Sequence, residues 1–298
     1  MLNRHHNRNN NPNNNPNNSP NNGRRVIATL ALAATLGMTC DMARAHDESK
    51  YPDFSGQWSR TYGGNPRYDQ TKPLRKQEAP LTPEYQARFE ASIKDQDEGG
   101  HGLDRGYTCL PQGMPRQMSG VSKFEFLISP NVTYMLFERT EMPPRRIYTD
   151  GRNWPQTEET WFIGYSIGKW LDTDSDGRYD TLEVETRNLR GPRVWDQSGV
   201  PMGDDNNTVI KERISLDKSD PGMLRVEMTT TDSSLTRPWS VIKTFKRQAT
   251  VWWTEDNCPE GQAHVTIGKE VYFSSGDGTI MPMKKGQQPP DLKYFKRD

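Results

Sequence analysis

An acidic loop at residues 172–183 carries the most specific chemistry in the chain. It reads Asp-Thr-Asp-Ser-Asp-Gly-Arg-Tyr-Asp-Thr-Leu-Glu and fits the calcium-loop pattern D-x-D-x-D-G-x5-E at every defined position. Calcium binds about six to eight hard oxygen ligands, which alternate carboxylates on one tight loop can supply. The expected ligands are Asp172, Asp174, Asp176, Asp180 and Glu183, together with the carbonyl oxygen of Arg178.

The residues beside this loop do not resemble the two helices of an EF-hand. Residues 167–170 and 182–185 have the composition of strands, so we expect the loop to join two β-strands. Calcium would then rigidify a hairpin and take no part in catalysis. A strand position for Glu183 could turn its side chain away and leave the ligand set incomplete. The alternative is an acidic, solvated turn that binds no metal.

A second group of charged residues surrounds the turn at 150–151. Asp150 is a candidate general base or ligand-orienting acceptor, and Arg152 or Arg146 could hold an anionic group. The competing interpretation is an Asp-Gly turn fixed by a neighbouring arginine. The candidate catalytic residues are Asp150, Arg152 and Glu138, and the candidate ligand-binding residues are Arg146, Tyr148 and Arg116.

Other catalytic signatures are sparse. The sequence contains no H-E-x-x-H, P-loop or G-x-G-x-x-G motif. Beyond residue 45 its three histidines, His46, His101 and His264, are widely spaced, which argues against a His-rich zinc site. Paired carboxylates for sugar hydrolysis stay open, because acidic residues are too numerous to single out one pair.

The N-terminus predicts export. Residues 1–22 consist mainly of Asn, Pro, Arg and His, a composition typical of disorder. A basic pair at 24–25, an apolar stretch at 26–38 and Ala43-Arg44-Ala45 then form a secretory signal. We expect cleavage after Ala45, one domain at 46–298, and a periplasmic or secreted location. The alternative is an N-terminus that stays anchored in the membrane.

Two cysteines lie beyond the expected cleavage site. In an oxidising compartment Cys109 and Cys258 most simply form a disulfide bond. The competing interpretation is a catalytic thiol, which would need a nearby histidine. The chain as a whole has 39 basic and 39 acidic groups, and residues 1–45 carry five basic groups and one acidic group. The remainder is therefore weakly acidic, which argues against nucleic acid or an anionic membrane as the main partner.

Hydrophobic periodicity positions these residues on a mainly β fold. One helix is predicted from Thr82 to the Gly pair at 99–100, with an apolar stripe of Tyr85, Phe89 and Ile93. Beyond residue 122 apolar and polar residues alternate, which predicts roughly eight to ten short strands. The predicted strands cover 124–128, 132–136, 146–149, 161–167, 181–189, 208–216, 224–231 and 239–246, with further ones at 251–253 and 265–273.

These patterns predict an antiparallel barrel or sandwich with one N-terminal helix. The 8 Trp, 11 Tyr and 9 Phe residues are expected to form most of its core. A Gly-x-Trp at 56–58 resembles the first-strand signature of lipocalins, which implies a barrel around a small apolar ligand.

Four sequence blocks resemble a family of exported proteobacterial proteins without an assigned function. They are C-x-P-x-G-x-P-R at 109–116, I-Y-x-D-G-R at 147–152, G-x-S-I-G-x-W at 164–170 and D-T-L-x-V-E-T at 180–186. The resemblance implies export and a β-rich fold but no activity. That family tends to have a His-Pro pair after its D-G-R and a shorter link between the last two blocks, so the acidic loop is an addition here.

Three functions are compatible with the sequence. The first is a binding protein that holds a small, partly apolar molecule in an aromatic-lined cavity, with the calcium loop as a structural element. The second is a periplasmic hydrolase or lyase that uses carboxylates near Asp150. The third is a structural protein of the cell envelope. No membrane-spanning segment is expected after signal cleavage, and the sequence does not determine the ligand or the oligomeric state.

Overall fold

The computed structural model describes residues 47–61, 78–119, 122–139, 141–254, 258, 263–275 and 277–290. These residues belong to one compact unit, His46–Asp298. The Asn-rich head, the predicted signal and its cleavage site lie outside the described residues. Within the described part of the chain, no helix combines the length and hydrophobicity needed to cross a bilayer.

Nine strands form a closed barrel. Each strand is hydrogen-bonded to the next along the chain, and β9 pairs with β1 to complete the cylinder. All neighbours are antiparallel except β4 and β5, which run parallel. The strands are β1 (Gln57–Arg60), β2 (Phe124–Ile128), β3 (Val132–Phe137), β4 (Arg145–Tyr148), β5 (Tyr165–Leu171), β6 (Thr181–Arg187), β7 (Val209–Leu216), β8 (Met223–Thr231) and β9 (Trp239–Arg247).

The barrel confirms the mainly β fold class, and period-two alternation explains it. In β8, Leu224, Val226 and Met228 are buried in the interior, whereas Glu227 between them is exposed on the outer face. Antiparallel pairing requires only short turns, but a parallel pair requires a crossover. Residues 149–164 provide that crossover between β4 and β5.

The Gly-x-Trp segment at 56–58 overlaps the start of the first barrel strand, β1. Trp58 is fully buried, and its Nε1 donates a hydrogen bond to the carbonyl oxygen of Phe54 at 3.0 Å. The Arg247 guanidinium lies 4.7 Å from the centre of the Trp58 ring. Because β1 pairs with both β2 and β9, Trp58 lies at the seam that closes the barrel.

The predicted helix is confirmed as α1 (Pro83–Asp97). Phe89 is buried and Ile93 packs against the core, as the apolar stripe predicts. Thr82 takes the N-cap position, but its side chain makes no capping hydrogen bond. Its backbone N–H instead donates to the carbonyl oxygen of Ser234 at 2.8 Å, which ties the start of the helix to the loop between β8 and β9. A second helix, α2 (Arg116–Ser119), is a single turn that the sequence did not predict.

A separate antiparallel sheet follows the barrel. It consists of β10 (His264–Ile267), β11 (Glu270–Ser274) and β12 (Ile280–Pro282), in that order. The predicted single strand at 265–273 is therefore two strands joined by a tight turn. Cys258 precedes this sheet and forms the predicted disulfide with Cys109, with the two Cα atoms 5.6 Å apart.

The predicted strands differ from the structure at three further places. Residues 161–164 are not a strand, because they complete the crossover, and β5 starts only at Tyr165. Residues 251–253 are not a strand either, although Gln57 and Trp252 exchange hydrogen bonds. Conversely, β1 lies outside the strands that hydrophobic alternation predicted. Only its pairing with β2 and β9 makes it a strand.

Candidate functional site

The three leading aspartates of the acidic loop converge. Asp172, Asp174 and Asp176 are exposed, and one carboxylate oxygen from each lies within 4.8 Å of the others. The loop joins β5 to β6, as expected, and Gly177 makes its sharp turn with a φ of +89°. Lys218 Nζ lies 3.3 Å from Asp174 Oδ2 and offsets part of the negative charge. The cluster can hold a hard cation, which would compete with Lys218.

The structure does not bring the carboxylates of Asp180 and Glu183 into this cluster. Asp180 Oδ2 accepts hydrogen bonds from the backbone N–H and hydroxyl of Thr173. Glu183 lies two residues inside β6 on the outer face of the barrel, where Arg213 Nη1 donates to its carboxylate at 3.0 Å. The backbone N–H of Arg178 donates to Asp176 Oδ1 at 2.8 Å. Because strand register fixes Glu183, the EF-hand ligand set is incomplete here.

Asp150 is engaged by Arg152 rather than directed at an open cleft. Arg152 Nε lies 2.9 and 3.0 Å from the two carboxylate oxygens of Asp150, and Nη2 adds a third hydrogen bond. The side-chain hydrogen bonds from Arg152 lower the pKa of Asp150, which makes it a weaker base. The Arg152 guanidinium also covers the ring of Tyr148 at 3.8 Å, and Tyr148 stacks on Tyr165. This geometry favours a turn fixed by its arginine.

The remaining candidates near this turn do not share a site with Asp150. Glu138 follows the end of β3 and Asp150 follows the end of β4, so the antiparallel register places them at opposite ends of this strand pair. Glu138 accepts hydrogen bonds from Lys123 and Thr254. Partial burial would raise the pKa of Glu138, but these hydrogen bonds outweigh it and lower that pKa. Arg146 is exposed on the outer face of β4.

Arg145, the residue before Arg146, points into the barrel interior. Arg145 is fully buried, and its guanidinium spans β5 and β6 to reach Glu212 on β7. Nη1 lies 3.1 Å from Glu212 Oε1, Nη2 bonds to Glu212 Oε2, and Nη2 lies 2.9 Å from Thr186 Oγ1. A buried two-point ion pair therefore occupies the barrel interior, where a ligand cavity lined by aromatic side chains was expected.

Sequence reasoning missed this pair, although the signal was present. Arg145 alternates with Ile147, and Glu212 lies between Ile210 and Ile214, so period two places both charges on the inner face. Residues 164–168, within the block at 164–170 named above, read Gly-Tyr-Ser-Ile-Gly and also fit the G-x-S-x-G pattern, which the search for catalytic motifs overlooked. Ser166 is in the middle of the barrel wall, 1% exposed, and bonded to Thr186 Oγ1 at 2.8 Å. It is not at the exposed strand-to-helix turn that this motif requires.

Three of the cavities lined by described residues lie outside the barrel interior. The first, of about 380 Å³, is a polar groove between the crossover and the start of β7. Another, of about 400 Å³, follows the outer face of β5 to β8 among exposed Lys and Glu side chains. The third, of about 540 Å³, lies between α1, residues 100–105 and the small sheet. We call it the α1–β11 cavity, and its size is within the range of small-molecule sites.

The α1–β11 cavity combines an apolar part with several cations. One face of α1 supplies Arg88, Ala91, Ser92 and Asp95, which follow helical spacing. Its apolar lining comes from Ala91, Leu103, Val271 and Met283, and its basic lining from Arg88, Arg105, Lys269 and Lys284.

The charges in this cavity are not balanced, because its lining carries four cations but only two carboxylates, Asp95 and Glu270. Asp95 bonds to Lys284 Nζ and accepts the backbone N–H of Gly102 at 2.9 Å. Partial burial would raise the pKa of Asp95, but these hydrogen bonds outweigh it and leave that pKa below its usual value. Arg88 pairs with Asp204 at 3.1 Å. Among the described residues, Arg105 and Lys269 have no carboxylate partner, so the cavity has cations available to a ligand.

A pair of histidines lies beside the cavity. His101 is buried in its wall, and its ring is 6.3 Å from that of His264 and stacks on Tyr107. Burial and the proximity of His101 lower the pKa of His264, so its neutral form is favoured near neutral pH. This cluster joins the turn at 105–108 to β10, close to the Cys109–Cys258 disulfide, and stabilises the wall that carries Arg105.

Arg116, the last candidate, lies elsewhere in the molecule. It begins α2, is 4% exposed and pairs with Asp104 at 2.9 Å. Its guanidinium is therefore buried, and it lines none of the three cavities described above.

The class of protein that the fold defines is a nine-stranded β-barrel with a small companion sheet and a disulfide bond. Comparisons with protein-family models, with curated proteins and with solved structures found no match to this chain. The resemblance of four sequence blocks to an exported bacterial family therefore stays a prediction.

Proposed function

We propose that this chain is an exported binding protein that holds a small, partly apolar anion in the α1–β11 cavity. The observation that carries the proposal is the imbalance of charge there, since Arg105 and Lys269 line the cavity without carboxylate partners among the described residues. The signal in the sequence supports a periplasmic or secreted location, and the Cys109–Cys258 disulfide fits an oxidising compartment.

The chemistry of the walls indicates the class of ligand. Leu103, Val271 and Met283 favour an apolar body, and burial of apolar area contributes roughly 25 cal/mol per Å². A carboxylate, sulfonate or phosphate head would accept charge-assisted hydrogen bonds from Arg105 and Lys269. Each such bond contributes about 1.5–3 kcal/mol.

Fluorescence titration with two matched probes tests this proposal on the full chain. Anilinonaphthalene sulfonate is an apolar anion, and N-phenylnaphthylamine is its uncharged counterpart. We expect the double variant Arg105→Gln/Lys269→Gln to bind the sulfonate at least about tenfold more weakly, because both cations that face its head are lost. Binding of the uncharged probe should change little.

A matched control removes the same charge from elsewhere. Arg225→Gln/Lys246→Gln takes two cations from the outer face of β8 and β9 and should leave sulfonate affinity unchanged. Equal weakening in both double variants would mean that the probe reports overall charge. Equal affinity of the wild type for both probes would contradict an anion site.

We also propose that the acidic loop binds calcium as a structural element. The calcium-loop pattern at 172–183 and the convergence of Asp172, Asp174 and Asp176 within 4.8 Å support this assignment. With three converging carboxylates and Lys218 in competition, we expect a dissociation constant of about 0.1–1 mM, which is typical of extracellular calcium modules.

Terbium luminescence measures this site, because Trp170 and Tyr179 lie close to the loop and can sensitise a bound lanthanide. We expect terbium emission that calcium displaces, and we expect Asp174→Asn to reduce the affinity for both ions. Glu183→Gln is the matched control, since Glu183 bonds to Arg213 outside the cluster and its loss should leave affinity unchanged. Emission that persists in Asp174→Asn would contradict a site at these aspartates.

A further inference from the structure

The strongest unexplained feature of the fold is the guanidinium of Arg116. Its side chain is 4% exposed, and Nη2 is the nitrogen that bonds to Asp104 Oδ2, at 2.9 Å. Nε and Nη1 are buried, and neither finds a hydrogen-bond acceptor among the described residues. Arginine keeps its charge in proteins and has no acceptor of its own, so these donors can be satisfied only by a group that accepts.

The local structure holds Arg116 in this position. The backbone N–H of Gln117 donates to the carbonyl oxygen of Gly113 at 2.6 Å, and Gln117 Nε2 donates to the carbonyl oxygen of Pro143 at 2.9 Å. The partner Asp104 is itself fixed, because its Oδ1 accepts the backbone N–H of Gly106 at 3.0 Å. A buried charged donor that lacks a partner is strongly unfavourable, and native proteins satisfy such groups with water, an ion or a ligand.

A second guanidinium and a hydroxyl lie near Arg116. Arg60 Nη1 donates to the carbonyl oxygen of Ser119 at 3.1 Å, one turn along α2 from Arg116. Burial and the charge of Arg116 lower the pKa of Arg60, although the charge of Asp196 acts in the opposite direction. The Ser119 hydroxyl is buried and has no hydrogen-bond partner among the described residues. Donors therefore accumulate on one side of α2.

We propose that Arg116, with Ser119 and Arg60 beside it, binds a compact oxyanion of the size of a carboxylate or nitrate. Such an ion presents acceptor oxygens in several directions and can meet Nε, Nη1 and the Ser119 hydroxyl together. This site is independent of the proposed function. Residues 104 and 105 separate the two sites, because Asp104 faces Arg116 whereas Arg105 lines the α1–β11 cavity.

Thermal unfolding of the full chain in formate tests the proposal, with chloride at equal ionic strength as the reference. A ligand that binds only the native state raises the unfolding temperature by about 3–5 °C at tenfold excess over its dissociation constant. Arg116→Lys keeps the charge beside Asp104 but loses the two unpaired guanidinium donors, and it should lose the formate response. Lys246→Gln, on the outer face of the barrel, should keep the full response.

A second variant keeps the proposal testable if Arg116→Lys does not fold. Ser119→Ala removes a neutral donor and should weaken formate binding about three- to tenfold while the chain stays folded. A crystal structure of the formate-soaked wild type should show the anion on Nε and Nη1. Water on both nitrogens in those crystals, with equal unfolding temperatures in formate and chloride, would overturn the proposal.

Discussion

Glu212→Gln should destabilise the protein by about 3–5 kcal/mol, because it leaves the charge of Arg145 buried without its partner. Arg145 is fully buried and Glu212 is 1% exposed, so water cannot replace the lost carboxylate. Urea denaturation followed by circular dichroism and by tryptophan fluorescence would measure the change. Coincident transitions in the two signals would justify a two-state free energy.

Two further variants separate the burial of the charge from its pairing. The double variant Arg145→Met/Glu212→Leu removes both charges, and the Ser166–Thr186 hydrogen bond of 2.8 Å can remain. It should be within about 2 kcal/mol of the wild type, since replacing a whole buried pair by apolar residues is often nearly neutral. Glu183→Gln breaks an exposed pair on the next strand and should cost less than about 1 kcal/mol. A Glu212→Gln effect as small as that of Glu183→Gln would refute the assigned role of the pair.

Reduction of the Cys109–Cys258 disulfide should cost up to about 5 kcal/mol in the chain-entropy model. The two cysteines are 149 residues apart, so the bond restricts a large part of the unfolded chain. The bond also anchors the turn at 105–108, which carries Arg105. We therefore expect dithiothreitol to lower the unfolding temperature and to weaken binding of the apolar sulfonate probe.

The double variant Cys109→Ser/Cys258→Ser provides the control. It should be as unstable without dithiothreitol as the reduced wild type, and it should not respond to the reagent. An unfolding temperature of the wild type that is the same with and without dithiothreitol would mean that the disulfide does not stabilise the fold.

Local features of the sequence predicted most elements. Alternation at 124–128 and 132–136 predicts a pair of strands with one buried face, and the structure has these strands as β2 and β3. The apolar stripe of Phe89 and Ile93 predicts a helix that packs on the core, and the structure has this helix as α1. In each case the pattern repeats within a few residues, so the burial of one face is visible without knowledge of the rest of the chain.

Features that depend on distant partners were not predictable in the same way. β1 contains only Gln57–Arg60, and it becomes a strand because β2 and β9 supply hydrogen-bond partners on both edges. The parallel pairing of β4 with β5 depends on where the crossover at 149–164 packs. Glu183 lies outside the aspartate cluster because the register of β6 directs its side chain toward Arg213.

The sequence by itself therefore determined the β class, the helix, the disulfide partners and the acidic loop, because each depends on residue type and local spacing. The tertiary structure alone decided that the barrel closes, that Arg145 meets Glu212 inside it, and that Arg105 and Lys269, which have no carboxylate partner in the described part of the chain, line a cavity outside it. These features arise when residues far apart in sequence come into contact. Burial there removes water from each charge, so the free energy of the fold depends on whether that charge has a partner.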